Sequence, residues 1–129
     1  MWRAIVAVCV GGCAGCLLRW ALSLWFNSAP SVVPLGTLAA NLIGAYIVGV
    51  AVAFFTLNSN LAPEWRLLVI TGFCGGLTTF SSFSAEVVLL LRQERVLWAF
   101  STMALHLFGS LALTFAGIAT VTGLKGSSG

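Results

Sequence analysis

Four long apolar stretches dominate this sequence and restrict the folds that it can adopt. They cover about residues 4–26, 35–57, 64–94 and 96–121, and each exceeds the roughly 20 apolar residues that cross a bilayer. Charged residues make up only 7% of the 129-residue chain, against roughly 25% in a soluble domain. We therefore predict an all-α membrane protein, with one domain of four transmembrane helices over residues 1–125. The remaining residues, 126–129, are expected to be a flexible tail or a cloning remnant.

The third apolar stretch contains a polar interruption. Residues 72–84 read Gly-Phe-Cys-Gly-Gly-Leu-Thr-Thr-Phe-Ser-Ser-Phe-Ser. A continuous helix over 64–94 would be roughly 47 Å long, which exceeds a hydrocarbon core of about 30 Å. We predict that the third helix is broken in mid-membrane, near 75–79. Because unpaired backbone groups are costly in hydrocarbon, such a break usually lines a site or a water-filled path.

The two ends of such a break offer different chemistry. The second half-helix would begin near 79–82 with unpaired N–H groups and a positive dipole end, which favour an anion. The first half would end near 75–78 with unpaired carbonyl oxygens, which suit a cation such as sodium. Phe80 and Phe83 follow on one helical face, and the positive edge of an aromatic ring can contact an anion. Phenylalanines that simply face lipid or the core are an equally good interpretation.

Three ionisable residues, Arg19, Glu86 and His106, lie within or near the apolar stretches. Such residues are functional candidates in a membrane protein. Arg19 would either attract anions to a vestibule or pair with Glu86 or a helix C-terminus. His106 is followed at four-residue intervals by Ser110 and Thr114, so the three share a helical face. This row suits a path for a small hydrated anion, or hydroxyls that bond back to their own helix.

Positive residues are almost evenly divided between the two sides that four spans would create. The count is three on the side of the termini against two or three on the other, depending on Arg19. A chain without an orientation signal can insert both ways, and copies of opposite orientation would form an antiparallel dimer. Four short helices cannot enclose a pore alone, which also favours a dimer. The alternative is that orientation is set by something that the count misses. The other residues counted are Arg3, Arg66 and Lys125 on the terminal side and Arg92 and Arg95 opposite.

Other chemistries have little support in the sequence. The net charge of +3 is sparse and does not suggest a nucleic-acid partner. Cys13 and Cys16 form a CxxC pair inside an apolar stretch, without a second His or Cys pair. They are therefore predicted to be small packing residues and not metal ligands. Paired carboxylates and a Gly-rich phosphate loop are missing too, so we do not expect an enzyme.

Three pieces of the sequence together resemble the Fluc (CrcB) family of fluoride channels. They are the Gly-rich run ending in Arg19-Trp, the run from Gly36 to Gly44, and the run from Gly72 to Glu86. The resemblance implies a dual-topology, antiparallel homodimer in a bacterial inner (plasma) membrane. It implies two parallel pores and passive, selective export of fluoride from the cytoplasm. It also implies a structural sodium ion at the centre of the dimer.

The resemblance also implies roles for particular residues. Phe80 and Phe83 would be the pore aromatics, and Asn41 would donate to fluoride or hold their rings. Carbonyl oxygens of Gly75 and Thr78 from both subunits would hold the sodium. The other residues of the pore and its entrances would be Thr79, Ser81 and Ser82 at the break, His106, Ser110 and Thr114 along the fourth helix, Arg19 at the vestibule floor and Glu86 near a pore entrance.

Two other functions compete with a channel. A small multidrug-type, proton-coupled exporter also has four helices and relies on a membrane carboxylate, for which Glu86 is the candidate. Glu86 lies near the end of its span, which disfavours that role, and the positive charge of Arg19 would repel a cationic substrate. A membrane protein with a purely structural role would leave the polar break and the polar row without a purpose.

Overall fold

The structure is a computed structural model and describes residues 1–28 and 31–126. Four helical stretches are long and apolar enough to cross a membrane: Trp2–Phe26, Leu35–Leu57, Pro63–Arg92 and Val96–Gly126. All regular structure in the described residues is helical, which confirms the all-α membrane prediction. Three of the predicted tail residues, 127–129, lie outside the described residues, while Gly126 is the last residue of a helix.

The third stretch differs from the others in being made of several pieces. Helices α1 (Trp2–Phe26), α2 (Leu35–Leu57) and α6 (Val96–Gly126) are each uninterrupted. The third stretch contains α3 (Pro63–Arg66), a π-helical segment (Leu67–Cys74), α4 (Gly75–Leu77) and α5 (Phe80–Arg92). Pro63 opens α3 at a position where its missing N–H costs nothing.

Between α4 and α5 the backbone is extended. Thr78 has φ −81° and ψ 153°, and Thr79 has φ −150° and ψ 120°. Both values lie in the β region, which β-branched residues favour. The Thr79 hydroxyl then accepts a hydrogen bond from the Ser82 backbone N–H, 3.2 Å, and caps α5. An interruption was predicted near 75–79. Residues 75–77 are helical, and the extended residues are Thr78 and Thr79.

Glycines let the third stretch approach its neighbours closely. A Cβ atom at Gly15 of α1 would overlap the Phe73 carbonyl oxygen of the π-helical segment. A Cβ atom at Gly44 of α2 would overlap the Thr78 methyl group. Such small-residue contacts are typical of helix pairs in membranes. The contact at Gly44 brings the extended segment, at Thr78, against α2.

Two small apolar clusters flank the break. Leu22, Ala40 and Leu77 form one cluster, which joins α1, α2 and α4. Val87, Leu90 and Ala99 form the second, which joins α5 to α6. The extended residues between α4 and α5 therefore lie between two packed regions.

Candidate functional site

A cavity of about 520 Å³ lies beside the extended segment and is lined by α2, the third helical stretch and α6. Its walls are mostly apolar, with a few convergent polar groups, as is common for ligand sites. Six of the nine predicted pore residues line it: Asn41, Thr79, Phe80, Phe83, His106 and Ser110. The two predicted sodium ligands, Gly75 and Thr78, line it as well.

The Asn41 side chain is hydrogen-bonded to both polar backbone atoms of Thr79. The Thr79 N–H donates to Asn41 Oδ1 at 2.7 Å, and Asn41 Nδ2 donates to the Thr79 carbonyl oxygen at 3.0 Å. The backbone of Thr79 lies outside the regular helices, and a side chain of α2 thereby satisfies both of its hydrogen-bonding groups. This pairing offsets the cost that an extended segment carries in an apolar environment.

The same amide also contacts the single histidine. Asn41 Nδ2 lies 3.1 Å from His106 Nδ1, and the His106 ring packs against Phe83 with centroids 4.5 Å apart. His106 is only 6% exposed, and its Nε2 atom is buried without a hydrogen-bond partner in the described residues. Asn41, Phe83 and His106 therefore form one cluster, assembled from three helices.

Phe80 and Phe83 differ in their surroundings. Their ring centroids lie 5.5 Å apart at 64°, an edge-to-face arrangement. Phe83 packs against the cluster of Val87, Leu90 and Ala99, whereas Phe80 is 78% exposed. The pair presents one supported ring and one unsupported ring to the cavity.

The hydroxyl groups at the start of α5 are bonded to one another. Thr79 Oγ1 lies 3.2 Å from both Ser81 Oγ and Ser82 Oγ. Because the backbone N–H groups of Thr79 and Ser82 are also bonded, the expectation of unpaired N–H groups at 79–82 is wrong for these two residues. The physical reason is the side-chain capping that Asn41 and Thr79 provide.

Glu86 lies one turn beyond Phe83 and is bonded to α2. The Thr37 hydroxyl donates to Glu86 Oε1, and the other carboxylate oxygen is buried without a partner in the part of the chain that is described. Thr37 is four residues before Asn41, so the two residues share one face of α2. Thr37 was not singled out from the sequence, although a threonine one turn before an asparagine within an apolar stretch marks a polar face.

Arg19 is bonded to the end of the first half of the third stretch. Its Nε donates to the Gly76 carbonyl oxygen at 3.0 Å. Its guanidinium group also lies 3.8 Å from Cys16 Sγ. A cation at the C-terminal end of a helix is favourable, and this contact matches the structural alternative that the sequence left open for Arg19.

The predicted polar row on α6 divides between two environments. His106 and Ser110 line the cavity. The Thr114 hydroxyl instead donates to the Ala45 carbonyl oxygen of α2 at 3.2 Å. That bond crosses to a neighbouring helix, so neither of the two interpretations of the row describes Thr114 fully.

A sequence model of the family described as "CrcB-like protein, Camphor Resistance (CrcB)" matches residues 6–118. This chain belongs to the CrcB family. The CrcB chain is also 59% identical to a protein of Nitrosomonas europaea named "Fluoride-specific ion channel FluC", over 98% of this chain and all of the relative. Proteins of the same name from Pseudomonas putida and Chromobacterium violaceum are 54% and 60% identical, over 98% and 93% of this chain and 99% and 95% of theirs.

The cysteines of this CrcB-family chain do not form a site among the described residues. Cys9, Cys13 and Cys16 are free and exposed, and Cys74 is free and buried. Cys13 and Cys16, predicted to be small packing residues, are exposed in the single chain, and Gly11 and Gly15 occupy the face of α1 that meets the π-helical segment. Within residues 1–28 and 31–126, no group of three or more His, Cys, Asp or Glu side chains is placed to hold a metal ion.

Proposed function

We propose that this CrcB-family protein is a fluoride-selective channel. The observation that carries the proposal is the cavity in which Asn41, Phe80, Phe83, His106 and Ser110 meet beside an extended backbone segment. Relatives that match this chain over nearly its full length are named fluoride-specific ion channels. The protein is a multi-pass membrane protein, and we place it in the bacterial inner membrane.

The chemistry of the cavity suits a small, strongly hydrated anion. A selective pore replaces the waters of its ion with polar groups of the protein. The hydroxyl of Ser110, the imidazole of His106 and the ring edges of Phe80 and Phe83 offer hydrogen donors and positive edges. No Lys or Arg is among the described residues that line the cavity, so a fluoride ion would be stabilised without being trapped.

The proposed transport is passive export. Fluoride enters cells as the neutral acid HF, loses its proton in the cytoplasm and accumulates there as the anion. A channel lets the anion leave down its gradient, without a coupled proton. Export of this kind lowers cytoplasmic fluoride.

The proposed active unit is an antiparallel homodimer with two pores. Phe80 lines the cavity and is 78% exposed, and Leu107 and Leu111 are also exposed cavity residues, so one chain leaves the cavity with an incomplete wall. A second copy inserted in the opposite orientation would complete that wall, and by symmetry it would create a second, equivalent pore. The even division of positive residues supports insertion in both orientations.

The proposal includes a third helix that is broken in mid-membrane and a structural sodium ion. Gly75 and Thr78 both line the cavity, and the extended backbone of Thr78 turns its carbonyl group away from the helix axis. The side of Gly75 is open, because the nearest atom to an added Cβ would be the Ile70 oxygen at 3.9 Å. Neutral carbonyl oxygens suit sodium, and two from each subunit would share one ion. The ion would supply positive charge that joins the two subunits.

The deciding experiment is fluoride efflux from liposomes that contain the purified protein, measured with a fluoride electrode. We expect fluoride to leave down its gradient while chloride is retained, without any proton gradient. Equal release of chloride would contradict a fluoride-selective channel. A requirement for a proton gradient would favour the proton-coupled exporter, with Glu86 as its carboxylate.

The sodium component has its own test. Exhaustive replacement of sodium by a large organic cation during purification and reconstitution should reduce fluoride efflux, and sodium should restore it. Efflux that is indifferent to sodium would contradict a structural sodium ion and would leave the channel proposal intact.

A further inference from the structure

The backbone N–H and carbonyl of Thr79 fix the orientation of the Asn41 amide. The nitrogen and oxygen of an asparagine side chain are hard to distinguish by shape. Here the Thr79 N–H can only donate, at 2.7 Å, and the Thr79 carbonyl can only accept, at 3.0 Å. Asn41 Oδ1 must therefore face the N–H, and Nδ2 must face the carbonyl. This arrangement also directs Nδ2 towards His106, 3.1 Å away.

The fixed amide in turn determines where the imidazole carries its proton. Asn41 Nδ2 has hydrogens and no acceptor lone pair, so His106 Nδ1 must accept the hydrogen bond and must itself be unprotonated. A neutral imidazole then has its proton on Nε2. The backbone of the break thus selects one tautomer of a histidine on another helix.

The protonated nitrogen lacks a hydrogen-bond partner. His106 Nε2 is buried and has none among the described residues, although the histidine lines the cavity. An unpaired buried donor is costly and calls for an acceptor. An anion in the cavity would be such an acceptor once a small shift of the ring exposed Nε2, whereas a cation would meet a hydrogen and not a lone pair.

We propose that His106 is a neutral Nε2–H donor to fluoride, held in this tautomer by the backbone N–H and carbonyl of Thr79 through Asn41, and that a second proton on the ring opens this contact and reduces conduction. The inference rests on the proposed fluoride function. A proton on Nδ1 would point at the Asn41 NH₂ group, so two donors would face each other. The charged ring would also attract the face of Phe83, whose centroid lies 4.5 Å away. Both effects act on residues of the cavity wall.

The other ionisable groups near His106 are few. Helices α2 and α5 pack against α6. Glu86 on α5 lies one turn beyond Phe83 and is bonded to α2, and Arg92 is at the far end of α5. On α2, Tyr46 is bonded to α6 more than three turns beyond the histidine. Cys74 reaches the same cavity from the π-helical segment.

The first test is nitrogen NMR of ¹⁵N-histidine-labelled protein in lipid. His106 is the single histidine of the chain, so its two ring nitrogens are assigned without mutants. We expect Nδ1 to be unprotonated and Nε2 protonated, with Nε2 shifted by sodium fluoride but not by sodium chloride. Asn41→Asp replaces the donor with an acceptor and should move the proton to Nδ1, while the remote control Asn60→Asp should leave it on Nε2. A proton on Nδ1 in the native protein would overturn the inference.

The second test compares protonation with flux. As pH falls, fluoride efflux should decline in step with the appearance of imidazolium in the spectrum, after subtraction of HF leak from protein-free liposomes at each pH. His106→Gln should flatten the pH profile of efflux. If that variant does not conduct, the native protein provides the second measurement: the side-chain ¹⁵N signal of Asn41 should move as the His106 ring gains its second proton. Efflux that stays constant while the ring is protonated would overturn the inference. Release of chloride together with a correct tautomer would contradict the proposed function alone.

Discussion

The third helical stretch meets its neighbours in two contrasting ways. Towards α1, the π-helical segment packs backbone against backbone, with Gly11 and Gly15 beneath the carbonyl oxygens of Leu68 and Phe73. Towards α6, the extended residues open on a cavity of about 520 Å³. The first contact leaves no space for a Cβ atom at Gly11 or Gly15. The second leaves an open cavity, which contains the polar groups of the site.

This contrast indicates how a polar break is held in an apolar environment. Irregular backbone is tolerated at membrane depth where it is buried in protein or lines a cavity. Here the extended residues are half-buried and line the cavity. On the α1 side, Arg19 bonds to the Gly76 carbonyl oxygen. On the other side, Asn41 bonds to the N–H and carbonyl of Thr79. We infer that α1 supplies rigidity and that α2 and α6 supply the chemistry, and the two roles are separable by mutation.

The largest effect is expected on the α1 side. Gly11→Ala places a Cβ on the Leu68 carbonyl oxygen, which cannot move without displacing the π-helical segment. Overpacking typically costs ~1–3 kcal/mol, and a backbone clash should exceed that range, so the folded yield should fall sharply. The adjacent Gly12→Ala is a matched control, because its Cβ would meet only the Gly72 oxygen at 4.0 Å.

Thermal unfolding in detergent measures both variants. Gly12→Ala should be neutral, or more stable by up to ~1 kcal/mol, because alanine is the better helix former. Equal destabilisation by the two substitutions would contradict the close contact of α1 with the π-helical segment.

The cavity side should show the opposite pattern, with loss of flux and retention of fold. Phe80→Ile should abolish fluoride efflux and should leave the fold of each chain intact, because the native ring is 78% exposed in the single chain. Phe83→Ile should also abolish efflux but should cost about 1 kcal/mol or more, since this ring packs against His106 and a buried cluster. Efflux assays and unfolding of the same preparations check both. Native efflux in both variants would remove the aromatic groups from the mechanism.

The two regions also differ in how far the sequence predicts them. Apolar length locates α2 at 35–57, the bounds that the structure has, because a membrane helix is specified largely by hydrophobicity. The π-helical segment was not predicted. Hydrophobic periodicity does not distinguish i→i+5 from i→i+4 hydrogen bonding, so the apolar pattern of this segment predicts a helix without its type.

For the candidate site, the sequence indicates individual residues but not the contacts between them. Asn41, Phe83 and His106 were each singled out, but their meeting requires three helices to pack in register. Thr37 was overlooked because its role depends on Glu86, which is 49 residues away in the chain. The polar row was inferred from spacing alone, and spacing cannot distinguish Ser110, at the cavity, from Thr114, which is bonded to α2.

That distinction gives the smallest and most discriminating expected effect. Ser110→Ala removes a hydroxyl that lines the cavity and should reduce fluoride efflux several-fold, with little change in stability. Thr114→Val keeps the shape of its side chain and removes the 3.2 Å hydrogen bond to the Ala45 oxygen, which should cost about 0.6 kcal/mol, a typical value for interhelical bonds in membranes. Its efflux should remain near the native rate. If Thr114→Val lowers efflux as much as Ser110→Ala, the conducting path extends along α6 beyond the cavity, and the division of the row is wrong.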